Sequence, residues 1–193
     1  MSAGAGDALL HVVYRVGDLE RTRKFLSILG LKVLRERDIS EEKYTNVFFG
    51  AGPESNAEFV SLELTFNYGV ESYDVGTGFS HIGISLDDVA TVVEKLRGSG
   101  FKVTREPGMQ DGTPVTAAVE DPTGYCFELL QMTRHDPVAQ IAFRVGDLDR
   151  ATKFYQALGM KELRRQESEE GNFSSVTMGY GSEADSTVIQ LIH

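Results

Sequence analysis

Three short runs along the chain alternate apolar residues with others: HVVYRV at 11–16, HIGISL at 81–86 and QIAFRV at 140–145. Alternation of this kind predicts a half-buried strand. After each run the apolar residues recur at helical spacing. In the first copy Asp18 is placed to cap a helix, Phe25, Leu26 and Leu29 form its apolar stripe, and Gly30 ends it. In the second the stripe is Val89, Val92, Val93 and Leu96, with Gly98 and Gly100 at its end. Strand-like segments follow: KVLRER, YTNVFFG and VSLELTF in the first copy, and KVTREP, VTAAVED and CFELLQM in the second. DPTG at 121–124 predicts the tight turn before the last of these.

The copies also repeat in wording. RVGDLERTRKFLSILGLKVLRER becomes RVGDLDRATKFYQALGMKELRRQ, FFGAGPE becomes MGYGSEA, and VSLELTF becomes VIQLIH. Self-similarity of this length predicts duplicated supersecondary units. The unit is βαβββ and the fold class α+β: tandem modules, two complete and a third after them. The boundaries read from the pattern are a flexible tail at 1–10, a domain at 11–132 with modules at 11–70 and 81–132, a linker at 133–139, and a third module at 140–193. TRHDPVA suits a linker because a proline sits among polar residues.

Strand alternation also sorts the chemistry by face. In the first run Val12, Tyr14 and Val16 belong to the core, leaving His11, Val13 and Arg15 on the other side. In SLELTFN, Leu62, Leu64 and Phe66 point inward and Glu63 and Asn67 outward. In the second copy His81 stands opposite Ile82 and Ile84, and Glu128 opposite Phe127 and Leu129. Each of the first two modules therefore carries one His and one Glu on the face turned away from its helix. If two such curved sheets face one another, two imidazoles and two carboxylates converge. That mixed set suits a six-coordinate divalent cation with water in the open positions. Ca²⁺ does not favour two imidazoles, and a structural zinc site more often uses thiolates.

Composition narrows the classes. Nineteen Lys and Arg against 29 Asp and Glu give a net charge of −10, which argues against a nucleic-acid surface. A single cysteine, Cys126, excludes an intrachain disulfide and fits a reducing compartment; it is expected to pack rather than to act as a nucleophile. No apolar run reaches membrane-spanning length, and MSAGAGDALL lacks the features of a signal peptide. The expected location is the cytoplasm, or a plastid if the N-terminus is incomplete. The GAGPE and GYGSE segments are expected to be hairpin turns rather than phosphate loops, since no helix follows them. His135 is expected to be incidental and His193 a frayed end.

With these residues assembled, HVVYRVGDL, EEKYTNVFFGAGPE, ELTFNYGVESYDVGTGFSHIGIS and EDPTGYCFELL resemble the glyoxalase I family of lactoylglutathione lyases, in the vicinal-oxygen-chelate superfamily of paired βαβββ modules. The resemblance covers nearly the whole chain after residue 10, and the tandem copy is similar to the fused two-domain form of plants and yeast. It implies metal ligands at His11, Glu63, His81 and Glu128, and glutathione anchors at Arg15 and Asn67. Arg105 is a further candidate for a glutathione carboxylate, beside its plainer reading as an exposed strand charge. The implied reaction is isomerisation of the methylglyoxal–glutathione hemithioacetal to S-lactoylglutathione. The implied base is Glu128 or Glu63, working with one divalent metal per site, Ni(II) or Co(II) ahead of Zn(II).

The third module departs from this pattern. Gln140 stands where His11 stands and Gln190 where Glu63 stands, and an amide cannot act as the base. In the fused form the first module is expected to face a fourth and the second the third. By that reading the domain at 140–193 is incomplete, and its missing module leaves an exposed edge. His81 and Glu128 then face Gln140 and Gln190. The expected escapes are a homodimer, in which His11 and Glu63 of one chain meet His81 and Glu128 of another, or a sequence that is a fragment. Other readings are a coenzyme A thioester epimerase, a two-His, one-carboxylate iron dioxygenase, and a degenerate binding protein without catalysis.

Overall fold

The computed structural model describes residues 7–109, 115–167 and 173–193. Three successive βαβββ units occupy them. The first comprises β1 (His11–Arg15), α1 (Leu19–Ile28), β2 (Lys32–Ile39), β3 (Tyr44–Gly50) and β4 (Ser61–Asn67). The second comprises β5 (Phe79–Leu86), α2 (Val89–Gly98), β6 (Lys102–Gly108), β7 (Thr116–Glu120) and β8 (Cys126–Gln131). The third comprises β9 (Val138–Arg144), α3 (Leu148–Ala157), β10 (Lys161–Glu167), β11 (Ser174–Gly179) and β12 (Val188–Ile192).

Each helix begins the same way. Asp18, Asp88 and Asp147 take extended backbone and accept a hydrogen bond from the N–H three residues on, which satisfies one of the helix's free donors. Gly30, Gly100 and Gly159 follow the helices with positive φ, the conformation that closes a helix at least cost to glycine. Within each unit the first strand lies parallel to the last, and the other two continue antiparallel. The second strand of every unit carries a register shift at one equivalent place, before Arg35, Arg105 and Arg164.

The units join in two ways. The first and second share one core through their helix faces: α1 packs on α2, and Phe25 lies edge-on to Phe101 and Phe127 with ring centroids 5.2 and 5.0 Å away. The second and third join edge to edge. β5 pairs antiparallel with β9, making a continuous eight-stranded sheet in the order β10-β11-β12-β9-β5-β8-β7-β6, while β1-β4-β3-β2 forms a separate sheet. The expectation of facing sheets is corrected here for these two modules: their chemical faces are continuous because the strands that carry them are hydrogen-bonded neighbours.

Two boundary readings also change. Residues 133–139 are no free tether, since β9 begins at Val138 and Asp136 is buried. Its carboxylate accepts the Val60 and Val138 N–H groups and the Thr187 hydroxyl, tying the first unit to the third. Within the expected flexible tail, Leu9 is partly buried against both hydrophobic cores and the Leu10 carbonyl accepts the Ser61 N–H. His193 is not frayed in its backbone, which exchanges both hydrogen bonds with Ser174.

Candidate metal centre

The β5–β9 junction arranges the site-face residues in two rows. One runs Arg105, Ala118, Glu128, Gly83, Gln140 across β6, β7, β8, β5 and β9. The other runs His81, Ala142, Gln190, Thr177, Arg164 across β5, β9, β12, β11 and β10. Each row thus holds a small residue between two candidate ligands: Glu128–Gly83–Gln140 and His81–Ala142–Gln190.

Three of these side chains converge. His81 Nε2 is 3.1 Å from Glu128 Oε2 and 2.8 Å from Gln140 Nε2, and Gln140 Nε2 lies 3.3 Å from Glu128 Oε2. The His81 and Glu128 side chains are only 13% and 22% exposed, so water competes weakly for them. His81 Nδ1 sits 3.2 Å from the Ser80 hydroxyl, which leaves Nε2 to face the cluster. Burial pushes the Glu128 carboxyl up, but hydrogen bonding and charge from His81, then from Arg105, outweigh it and hold the group at about 2. Gln190 follows on the same face, two strands from His81; among the described residues no hydrogen bond joins it to the other three.

The donors fit a divalent cation. An ion with bonds of about 2.1 Å places neighbouring octahedral donors about 3 Å apart, and the three side chains here are spaced by 2.8 to 3.3 Å. The Gln140 amide presents oxygen instead of nitrogen by rotation about its last torsion. One imidazole, one carboxylate and an amide leave room for water, an arrangement suited to a six-coordinate ion. Among the described residues no group of three His, Cys, Asp or Glu converges, because the third donor is an amide.

Arg105 departs from its plainer reading. It is not a plain exposed strand charge: its guanidinium donates through Nη2 to Glu128 Oε1 at 2.7 Å and to the Thr116 hydroxyl at 3.1 Å, while its Nε has no hydrogen-bond partner. Its repeat counterparts behave otherwise. Arg35 grips Glu54 of GAGPE with two hydrogen bonds of 2.9 and 3.0 Å, over the Phe48 ring, and Arg164 grips Glu183 of GYGSE with two of 3.0 Å. In the second unit the corresponding turn is DPTG, where Gly124 stands at the place of Glu54 and Asp121 is taken up by the turn's own N–H groups, and Ala118 replaces the bulky Phe48. The arginine therefore reaches Glu128 instead. The glycine-rich segments serve as anchors for these arginines.

The His11–Glu63 pair lies apart, on the other sheet. His11 Nε2 is 3.8 Å from Glu63 Oε2 and its side chain is 49% exposed. Glu63 accepts a 2.6 Å hydrogen bond from Asn46, a partner the sequence reading missed although alternation in YTNVFFG puts Asn46 on that face. Arg15 lies on the same face of β1, and Asn67 donates to the Tyr73 hydroxyl at 2.8 Å. β9 already occupies the edge of β5, so the structure does not bring His11 and Glu63 to His81 and Glu128. A second missed residue is Arg144, which holds in the third copy the place of Arg15 in the first; it donates to the Phe79 carbonyl at 2.6 Å. The repeated RVGDL was the signal for it.

The other candidates fall away from the centre. Burial, with the charge of Glu128, raises the Cys126 thiol, so it is no ready nucleophile. His135 is exposed against Phe59. A cavity of 530 Å³ lined by Arg15, Tyr73, Phe79, Tyr125 and Phe143 opens on the helix face of β5 and β9, where Ile82 and Ile141 point, and touches none of the three converging side chains.

Comparison with known proteins agrees with this architecture. Residues 8–129 and 138–193 match the Glyoxalase/Bleomycin resistance protein/Dioxygenase superfamily. The chain is 53% identical over 189 residues to a probable chloroplastic lactoylglutathione lyase of Arabidopsis thaliana, covering 96% of this chain and 53% of that one. It is 47% identical over 125 residues to lactoylglutathione lyase of Escherichia coli O157:H7, covering 64% of this chain and 91% of the relative. The crystal structure of glyoxalase I from Zea mays superposes with a TM-score of 0.92 at 47% identity, covering 96% of this chain and 67% of that one. The chain spans between about half and two thirds of the length of the curated plant relatives it matches. With its three βαβββ units, the chain belongs to the Glyoxalase/Bleomycin resistance protein/Dioxygenase superfamily and, within it, is similar to the lactoylglutathione lyases.

Proposed function

We propose that the chain isomerises the methylglyoxal–glutathione hemithioacetal to S-lactoylglutathione, at a centre built by its second and third modules. The observation that carries this reading is the convergence of His81, Glu128 and Gln140 within one chain. His81, Glu128 and Gln140 hold the ion, with Gln190 at the fourth place; Ni(II) and Co(II) come before Zn(II) for this donor set. The bound ion supplies charge stabilisation to the substrate oxygens as the neighbouring carbon loses its proton.

Glu128 is the acid–base group. It takes the proton from the carbon beside the carbonyl and returns it to the adjacent carbon, so no redox partner is required. Held low by His81 and Arg105, the carboxylate is a poor base in the arrangement described here. Arg105 fixes the far oxygen and keeps the carboxylate pointed at the centre. Arg144 replaces Arg15 as the cation for a glutathione carboxylate. The −10 net charge makes such a local cation necessary for an anionic substrate.

A second reading concerns His11 and Glu63. β1 has one hydrogen-bonded neighbour among the described strands, and the pair beside its open edge is half of a comparable donor set. A βαβββ module from a second chain, docked on β1 as β9 is docked on β5, would complete a second centre with Arg15 and Asn67 beside it.

No described helix is long and apolar enough to cross a membrane. We place the activity in the cytoplasm or, after the chloroplastic relative, in a plastid. The test is direct. Ni(II), Co(II) or Zn(II) is added to the metal-free protein, and thioester formation from methylglyoxal and glutathione is followed. Turnover with at least one ion is expected; none with any ion, in protein shown to be folded, rejects the reading.

A further inference from the structure

We propose that Gly83 is a positioning residue, and that the missing side chain at 83 is what lets Gln140 reach His81 and Glu128. Gly83 lies in β5 with Glu128 as its neighbour on one side and Gln140 on the other. A Cβ built at 83 would fall 2.4 Å from Gln140 Cγ, 3.1 Å from its Cδ and 3.3 Å from its Nε2. The first distance is far inside van der Waals contact, so the Gln140 side chain lies directly over the glycine. It cannot keep its bonds to His81 Nε2 and Glu128 Oε2 over any larger residue.

The backbone offers no other reason for glycine here. Gly83 is not among the residues with positive φ, and glycine within a strand is destabilising relative to alanine. The repeats support the steric argument. The equivalent position is Val13 in β1, Ala142 in β9 and Gly83 in β5. Val13 is 52% exposed at an edge where no described strand lies beside it. Ala142 stands opposite His81, and Gly83 opposite the longer, flexible Gln140. The residue shrinks with what must lie across it. The role of Gly83 in catalysis rests on the metal reading above; its steric role does not.

A double-mutant cycle of Gly83→Ala and Gln140→Ala tests the two separately. Read by Co(II) or Ni(II) affinity, Gly83→Ala is expected to weaken binding about tenfold or more, and to add nothing once Gln140→Ala is present. An affinity within twofold of the parent for Gly83→Ala, or losses that multiply in the double variant, overturns the proposal. If the parent binds no ion, the metal reading fails, and the urea midpoint of the same cycle decides the steric claim. Gly83→Ala is expected to lower the midpoint alone and to leave or raise it in the Gln140→Ala background. An equal fall in both backgrounds overturns the claim. Should Gly83→Ala not fold, the double variant is expected to fold, and its failure to do so counts equally against the proposal.

Discussion

The first and third modules read nearly the same, yet the molecule uses opposite sides of them. Phe25 of α1 and Leu29 at its C-cap are 0% and 2% exposed, whereas their counterparts, Phe154 of α3 and Leu158 at its C-cap, are 59% and 51% exposed. On the other face the order reverses: His11 stands open at a sheet edge, and Gln140 is drawn into a three-residue cluster. The second module explains the difference. It shares a core with the first through its helix and a sheet with the third through β5, so it stabilises one neighbour and builds the centre with the other. Identical words in a sequence therefore specify a local unit, and their partner specifies its function.

The sharpest way to break this contrast is at the two glutamates. Glu128→Gln is expected to lower kcat/KM about 10²–10⁴-fold, the usual range for removing a general base. Glu63→Gln, on the other sheet, is expected to change it by less than about threefold. Steady-state thioester assays of the two purified variants decide; equal losses would place both glutamates in the working site.

The two phenylalanines come next. Phe25→Ala is expected to cost about 3–5 kcal/mol in urea unfolding, because it empties a packed site between the first two modules. Phe154→Ala is expected to stay within about 0.5 kcal/mol. A large loss for Phe154→Ala would mean that something covers α3 in solution.

Much of this was readable from periodicity and repetition. Strands, helices and the face carrying His81 and Glu128 follow from residue periods of 2 and 3.6, which are local properties, and Gln140 and Gln190 follow from the repeat. The edge-to-edge pairing of β5 with β9 was not readable, because register between distant strands depends on which edges are free. Arg105 was misread for a related reason. Its partner is chosen by Ala118 on the neighbouring strand and by Gly124 standing where the first module has Glu54, neither of which is visible from KVTRE. Asp136 looked like part of a linker because burial by Val60 and Thr187 comes from residues 76 and 51 positions away.

The DPTG turn gives a pH test confined to the shared core. Burial raises the Asp121 carboxyl to about 6, although one of its oxygens accepts the N–H groups of Thr123, Gly124 and Tyr125. An acid whose folded value lies above its ordinary one of about 3.9 holds its proton more tightly when folded. Stability then falls as pH rises from about 4 to 6, by about 2–3 kcal/mol from this group. Asp121→Asn keeps an acceptor oxygen for the three N–H groups and is expected to flatten that fall; unchanged slope in urea titrations at several pH values would contradict it.

The smallest expected effect separates the paired arginines. Arg105→Met is expected to weaken metal affinity about 10–100-fold by freeing Glu128. Arg35→Met, at the same register of the first module, is expected to leave that affinity unaltered and to cost at most about 1 kcal/mol of stability from the Glu54 pair. Isothermal titration with Ni(II) reads the first and urea unfolding the second.

The central claim is that one chain assembles its centre from the second and third modules. Co(II) titration of His81→Ala and His11→Ala, followed by absorbance, tests it most directly. The account predicts that His81→Ala loses the ion while His11→Ala keeps one per chain with affinity close to the parent. Loss of the ion in His11→Ala, with binding retained in His81→Ala, would contradict it.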